Sequence, residues 1–155
     1  ENVMAVDVMR NDLSRTSVPG TVRVSELFGL RTYPRVHQLV SVIEAERRSE
    51  ASPFDAVRAA FPMASMTGAP KVSAMRLIDG HEQQARGLYS GTLGFFAPDG
   101  TADLNVVIRT LLFDAASGRL SIPTGSALTA LCDPAAEWEE CLVKFNTIAH
   151  ALSAP

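Results

Sequence analysis

Residues 104–113 read Leu-Asn-Val-Val-Ile-Arg-Thr-Leu-Leu-Phe, a run dense in branched apolar side chains. Successive strand residues point to opposite faces. Val107 and Leu111 would therefore line one face, and Ile108 and Leu112 the other. A strand apolar on both sides is stable only when both sides are covered. The run therefore predicts a layered sandwich, with helices or a second sheet on each side. The surrounding strand signals are joined by short turns, which favours an antiparallel meander over a dinucleotide-binding fold. With 155 residues the chain is long enough for one domain with a sizeable core.

The spacing predicts a helix over 1–15, ended by Pro19-Gly20, then strands over 21–28 and 36–46. Residues 47–53 are polar and read as a loop, followed by a helix over 54–61 with Ser52 as its cap. A second helix covers 71–84. Strands over 88–96 and 102–113 are joined by Pro98-Asp99-Gly100, a strong turn signal. Ser117-Gly118 turns the chain into a strand over 120–122, and 128–131 reads as a short apolar strand. Asp133-Pro134 opens a final helix that runs to about Leu152.

A net charge of -3 gives no reason to expect nucleic acid or an anionic membrane as partner. No apolar run approaches the ~20 residues that span a bilayer. Cys132 and Cys141 match no metal or redox spacing. They read as small buried residues of a reducing compartment, which points to the cytoplasm.

Three places carry chemistry. The run Phe61-Pro62-Met63-Ala64-Ser65-Met66-Thr67-Gly68-Ala69-Pro70-Lys71 combines a permissive Gly68, a Pro70 suited to a helix start, and a cation beside a helix N-terminus. It reads as an anion-recognition corner or as an ordinary Gly-Pro turn. On the final helix, Trp138, Cys141, Leu142, Phe145, Ile148, Ala149 and Leu152 form an apolar stripe, with Glu137, Glu140 and Lys144 in an arc at its edge. Those three form either an exposed ion-pair ladder or a site for a hard cation, since Mg²⁺ takes one or two carboxylates and keeps waters. Arg109 interrupts the apolar strand. It calls for an internal partner such as Asp103, or for a substrate carboxylate that a guanidinium can grip bidentately.

The chain resembles the chorismate-utilising enzymes, which include the component I subunits of aminodeoxychorismate and anthranilate synthases and the salicylate and isochorismate synthases. The resemblance rests on five blocks in order: residues 1–13; 36–41; the 61–71 corner; Arg86-Gly87-Leu88-Tyr89-Ser90-Gly91 with Ile108-Arg109-Thr110; and Thr124-Gly125-Ser126-Ala127 with Asp133-Pro134, Glu137, Glu140 and Lys144. It implies an α+β fold, a layered αββα sandwich of antiparallel sheets and helices. The chain would be the C-terminal part of a single chorismate-binding catalytic domain, with an upstream part outside it. It further implies Mg²⁺ held by Glu1, Glu137 and Glu140, and substrate contacts from Ser65, Tyr89, Arg109, Gly125, Ala127 and Gln38. Catalytic roles fall to Thr67, Lys71 and Lys144.

The implied reaction is amination of chorismate to 4-amino-4-deoxychorismate, with ammonia from a glutamine amidotransferase subunit or fused domain. Gln38 stands where relatives mostly have His, and Gln is no general acid or base near neutral pH. The family His is implicated in the pyruvate elimination that makes anthranilate, so Gln38 favours an enzyme that stops at the aminated intermediate. Ala64 and Ala127 replace usual glycines. Anthranilate formation, salicylate or isochorismate formation, and a non-catalytic chorismate-binding paralogue are the alternatives.

Overall fold

The structure is a computed structural model that describes residues 1–34 and 36–153. The chain divides into two compact units, residues 1–85 and 86–155, and each is described by itself.

The first unit holds helix α1 (Asn2–Ser14), strands β1 (Arg23–Tyr33) and β2 (Val36–Glu44), helix α2 (Pro53–Ala60), a short 3-10 turn (Ala64–Met66) and helix α3 (Lys71–His81). Strands β1 and β2 pair antiparallel, with Arg31 opposite Gln38 and Thr32 opposite His37. The expected strand over 21–28 is longer than its composition suggested, because Leu30 to Tyr33 find partners in Val36 to Leu39. Register shifts between Val24 and Glu26 and between Glu26 and Gly29 accompany a positive φ of 58° at Phe28. These are bulges, which bend and twist a strand. Helix α2 begins with a capping box: the Ser52 hydroxyl accepts from the Asp55 amide at 3.2 Å, and Asp55 accepts from the Ser52 amide at 2.8 Å. Pro70 is the cap of α3 rather than its first helical residue, which leaves Lys71 in that place. Helix α3 ends at His81, short of the expected Gln84, as the chain becomes extended at Glu82. The Asn2 side chain ties α1 to β2, donating to Leu39 O at 3.4 Å and accepting from the Ser41 hydroxyl at 2.6 Å. Val6, Ala51, Ala59, Ala60 and Ala64 are buried apolar residues of this unit, with Asp12 and Ser17 buried among the polar ones.

The second unit contains β3 (Thr92–Phe96), β4 (Ala102–Val106), β5 (Leu112–Asp114), β6 (Arg119–Ser121) and helix α4 (Pro134–Ser153). Strand β3 pairs with β4 and β5 with β6, both antiparallel. The α+β class, with antiparallel strands, is thus as expected. The long strand over 102–113 is not. It stops at Val106 because its partner runs out: residues 88–91 turn, with the Gly91 amide on Leu88 O at 3.0 Å, instead of extending as a strand. The final cross-strand bonds are Val107 N to Gly91 O and Ser90 N to Val107 O, each 2.9 Å. Beyond them the chain breaks, with Arg109 at φ 51°. The expected strand over 128–131 is also absent. That segment turns on itself, with Cys132 N bonded to Thr129 O at 3.2 Å, and Leu131 is 98% exposed.

The apolar stripe of α4 is only partly covered: Trp138 is 63% and Phe145 41% exposed, while Cys141, Ile148 and Ala149 are half-buried. More apolar surface is patterned into the sequence than this chain covers. Cys132 and Cys141 are half-buried rather than buried. Among the described residues no helix is long and apolar enough to cross a membrane.

Candidate functional site

Helix α4 carries the acidic residues singled out in the second unit. The Asp133 carboxylate accepts from the Ala135 amide at 2.9 Å and opens the helix. Spacings of three and four residues then put Glu137, Glu140 and Lys144 on one edge. Lys144 Nζ lies 3.0 Å from Glu140 Oε1 and donates to Gly125 O at 3.0 Å. Next to it, the Ser126 hydroxyl contacts Glu137 Oε2 and Glu140 Oε2 together. Residues 125–126 are therefore fastened to α4 by an ammonium and a hydroxyl side by side.

This set of atoms is rich in acceptors. Ser126 has one proton to offer two carboxylates, and Lys144 covers one of their four oxygens. Two negative charges are thus balanced by one positive. Among the described residues no group of three or more His, Cys, Asp or Glu is placed to hold a metal ion, so the acidic cluster is a pair. Mg²⁺ binds through one or two carboxylates and retains waters. The pair fits such a cation.

The Ser126 hydroxyl, followed by the Lys144 ammonium, holds the Glu140 carboxyl below its usual range. A depressed folded-state pKa contributes stability that is present above the ordinary glutamate value and is lost as pH falls through the folded value. Ser126→Ala is expected to move the Glu140 carboxyl back up toward that ordinary value. Carboxyl ¹³C NMR titration of wild type and variant would check it, and an unmoved Glu140 would contradict the assigned cause.

Gly125 lies tight against the Tyr89 side chain. A Cβ there would stand 2.6 Å from the Tyr89 hydroxyl oxygen, closer than real Cβ contacts. The Arg86 guanidinium lies 6.0 Å from the centroid of the Tyr89 ring, within cation–π range, and donates to Ser90 Oγ at 3.0 Å. Tyr89 is therefore held against the backbone at Gly125. Ala127 follows in the same irregular segment, which is not the turn expected, and is exposed. Arg109 differs from expectation: it sits at the strand break and is exposed, so burial does not oblige it to pair internally. A non-glycine residue at positive φ is uncommon, and here it turns the guanidinium carrier out of the ladder.

In the first unit Glu1 is the cap residue of α1 and is exposed, with its carbonyl accepting from Ala5 N at 3.0 Å. Gln38 is exposed on β2, and neighbouring His37 lies 3.1 Å from the Thr32 hydroxyl. Ser65 is exposed on the 3-10 turn. The Thr67 hydroxyl donates to Met63 O at 3.1 Å. Gly68 has φ 141°, a conformation that favours glycine. Lys71 corrects the expectation most clearly. Its ammonium is not presented to an anion at the start of α3 but lies 2.7 Å from Asp12 Oδ2 and 3.0 Å from Ala60 O. The internal carboxylate claims it first.

Ser126 and Asp12 were not singled out from the sequence. A hydroxyl next to Gly125 was the available signal for Ser126. Nothing local marks Asp12, whose partner is 59 residues away.

A family model described as chorismate binding enzyme matches residues 1–150. The chain is 49% identical over 144 residues to a probable chloroplastic aminodeoxychorismate synthase of Oryza sativa subsp. japonica, covering 93% of this chain and 16% of that protein. It is 44% identical over 154 residues to aminodeoxychorismate synthase component 1 of Klebsiella aerogenes, covering 99% of this chain and 34% of that protein. Among solved structures, anthranilate synthase component I of Streptococcus pneumoniae TIGR4 superposes with a TM-score of 0.87 at 30% identity, covering 94% of this chain and 33% of that one. The chain thus spans at most about a third of these relatives' lengths.

Proposed function

The chain belongs to the chorismate-binding enzymes, and on that premise we propose that it carries part of the machinery that aminates chorismate to 4-amino-4-deoxychorismate with Mg²⁺. The observation that carries this reading is the fastening of residues 125–126 to α4, with Tyr89 against Gly125, beside an acidic pair short of positive charge. The names of the rice and Klebsiella relatives support the aminating branch, as does Gln38, which cannot act as the acid or base of a further elimination.

Chorismate carries two carboxylates and a ring hydroxyl that must leave. Arg109 and the backbone of Gly125 and Ala127 bind one carboxylate, with Tyr89 positioning it. Glu137 and Glu140 would hold Mg²⁺. A cation held there would supply positive charge against the negative charge that grows on the leaving oxygen. The Ser126 hydroxyl and then Lys144 hold Glu140 as a carboxylate, and Lys144 fixes the Gly125 carbonyl. The substrate roles of Ser65, Thr67 and Gln38 rest on the family resemblance alone. In the net reaction one C–N bond forms, one C–O bond breaks, and one water leaves for each ammonia consumed.

Ammonia comes from a glutamine amidotransferase subunit or fused domain, and a cytoplasmic location belongs to the same proposal. The test is chorismate consumption by the full-length protein carrying this chain. Loss of chorismate that needs both ammonium and Mg²⁺, and stops on chelation, is expected. Consumption indifferent to ammonium would overturn amination. Binding of chorismate without turnover would move the protein to the non-catalytic alternative.

A further inference from the structure

We infer that Asp12 and Lys71 are positioning residues, whose ion pair, shared with the Ala60 carbonyl, clamps the 61–70 loop and sets how Ser65 and Thr67 are presented. What the loop serves rests on the chorismate reading above; the clamp itself does not.

Ala60 ends α2 and Lys71 begins α3. The Lys71 ammonium reaches back over the loop to Ala60 O at 3.0 Å, so the two ends of the loop are joined by one side chain. Its second bond, 2.7 Å to Asp12 Oδ2, ties both ends to α1. The pair is sheltered: the Asp12 side chain is 4% exposed and that of Lys71 15%. A compact loop with adjacent ends is a common way to carry functional groups.

Inside the loop the bonds run in the same frame. Met66 N donates to Met63 O at 3.0 Å, and the Thr67 hydroxyl to Met63 O at 3.1 Å. At Gly68 a Cβ would approach Ala74 Cβ to 3.0 Å, so the loop also lies close on α3. Ala64, within the loop, is buried. Thr67 is therefore oriented by the loop, and the loop is anchored by the pair. Such an arrangement explains why a lysine at a helix start, well suited to an anionic ligand, is given an internal carboxylate instead. Removing either partner leaves the other charge buried and uncompensated. A shift of about 1 Å in a positioning segment lowers turnover by roughly 10²-fold.

The test uses Lys71→Met and Asp12→Asn in the full-length protein, the second kept as the milder change should the first not fold. Two quantities are read well below the melting temperature: amide hydrogen exchange by mass spectrometry, and kcat and KM for chorismate. Protection in 61–70 is expected to fall at least about tenfold while α1 and α3 keep theirs, with kcat roughly 10²-fold lower and KM within about twofold. Unchanged protection in the loop, or loss spread evenly over α1 and α3, would overturn the clamp. Local loss with kcat intact would overturn its positioning role. If the wild-type protein does not turn over chorismate, the proposed function fails, and the exchange map still decides whether the clamp holds the loop.

Discussion

Replacing Glu140 with Gln is expected to lower the rate of chorismate amination by about 10³-fold, an effect of several kcal/mol on charge stabilisation in the transition state. Glu140 shares an acidic pair with Glu137, and its carboxyl is held below the usual range by the Ser126 hydroxyl first and by Lys144 next. It therefore stays charged well into the acid side of neutrality. Gln keeps the shape but removes the negative charge, and Lys144 then loses its partner at 3.0 Å. Because the Glu140 side chain is 52% exposed, fold stability is expected to change little, since exposed ion pairs are worth at most about 1 kcal/mol. Steady-state rates over a Mg²⁺ titration, with Mn²⁺ binding followed by electron paramagnetic resonance, separate the two effects. A loss smaller than about tenfold, or unchanged Mn²⁺ affinity, would remove Glu140 from the cation site.

Gly125→Ala is the second large effect, and its cause is steric rather than conformational. The added Cβ would meet the Tyr89 hydroxyl oxygen at 2.6 Å, while the ring carbon behind it stands at 3.6 Å, an ordinary contact. The phenol must swing away, and the carboxylate pocket proposed around Arg109 loses its side wall. A rise in KM for chorismate of about tenfold is expected, corresponding to ~1.4 kcal/mol. The double variant Gly125→Ala with Tyr89→Phe removes the clash together with the hydroxyl. Its effect on melting temperature is therefore expected to be smaller than the sum of the single effects, the signature of groups in contact. Strict additivity would mean that the two residues do not touch in solution.

The sequence was most legible where the physics is local. The Ser52–Asp55 capping box, the Asp133-Pro134 helix start, the Pro98-Asp99-Gly100 turn and the edge of α4 follow from neighbours a few residues apart. Glu137, Glu140 and Lys144 could be placed together for the same reason. Legibility failed where pairing over distance decides. Residues 108–111 have the composition of a strand, yet they leave the ladder after Val107 because the chain before Ser90 turns instead of extending alongside them. Leu128 and Leu131 are apolar, but composition does not supply a neighbouring strand. Lys71 was read from its place at a helix start, whereas Asp12, far away in sequence, takes its ammonium. Ser126 was passed over because a serine in a turn is ordinary until the carboxylates on either side of its hydroxyl are known.

The most direct test of the central claim is identification of the product. The full-length protein would be incubated with chorismate, Mg²⁺ and ammonium, and the products resolved by mass spectrometry, with Glu140→Ala as control. The expected result is 4-amino-4-deoxychorismate from the wild type and none from the variant. Anthranilate as the product would contradict the assignment, supported by Gln38, that the enzyme stops at the aminated intermediate, salicylate would contradict amination itself, and 4-amino-4-deoxychorismate formed equally by the variant would contradict the acidic pair as its cation site.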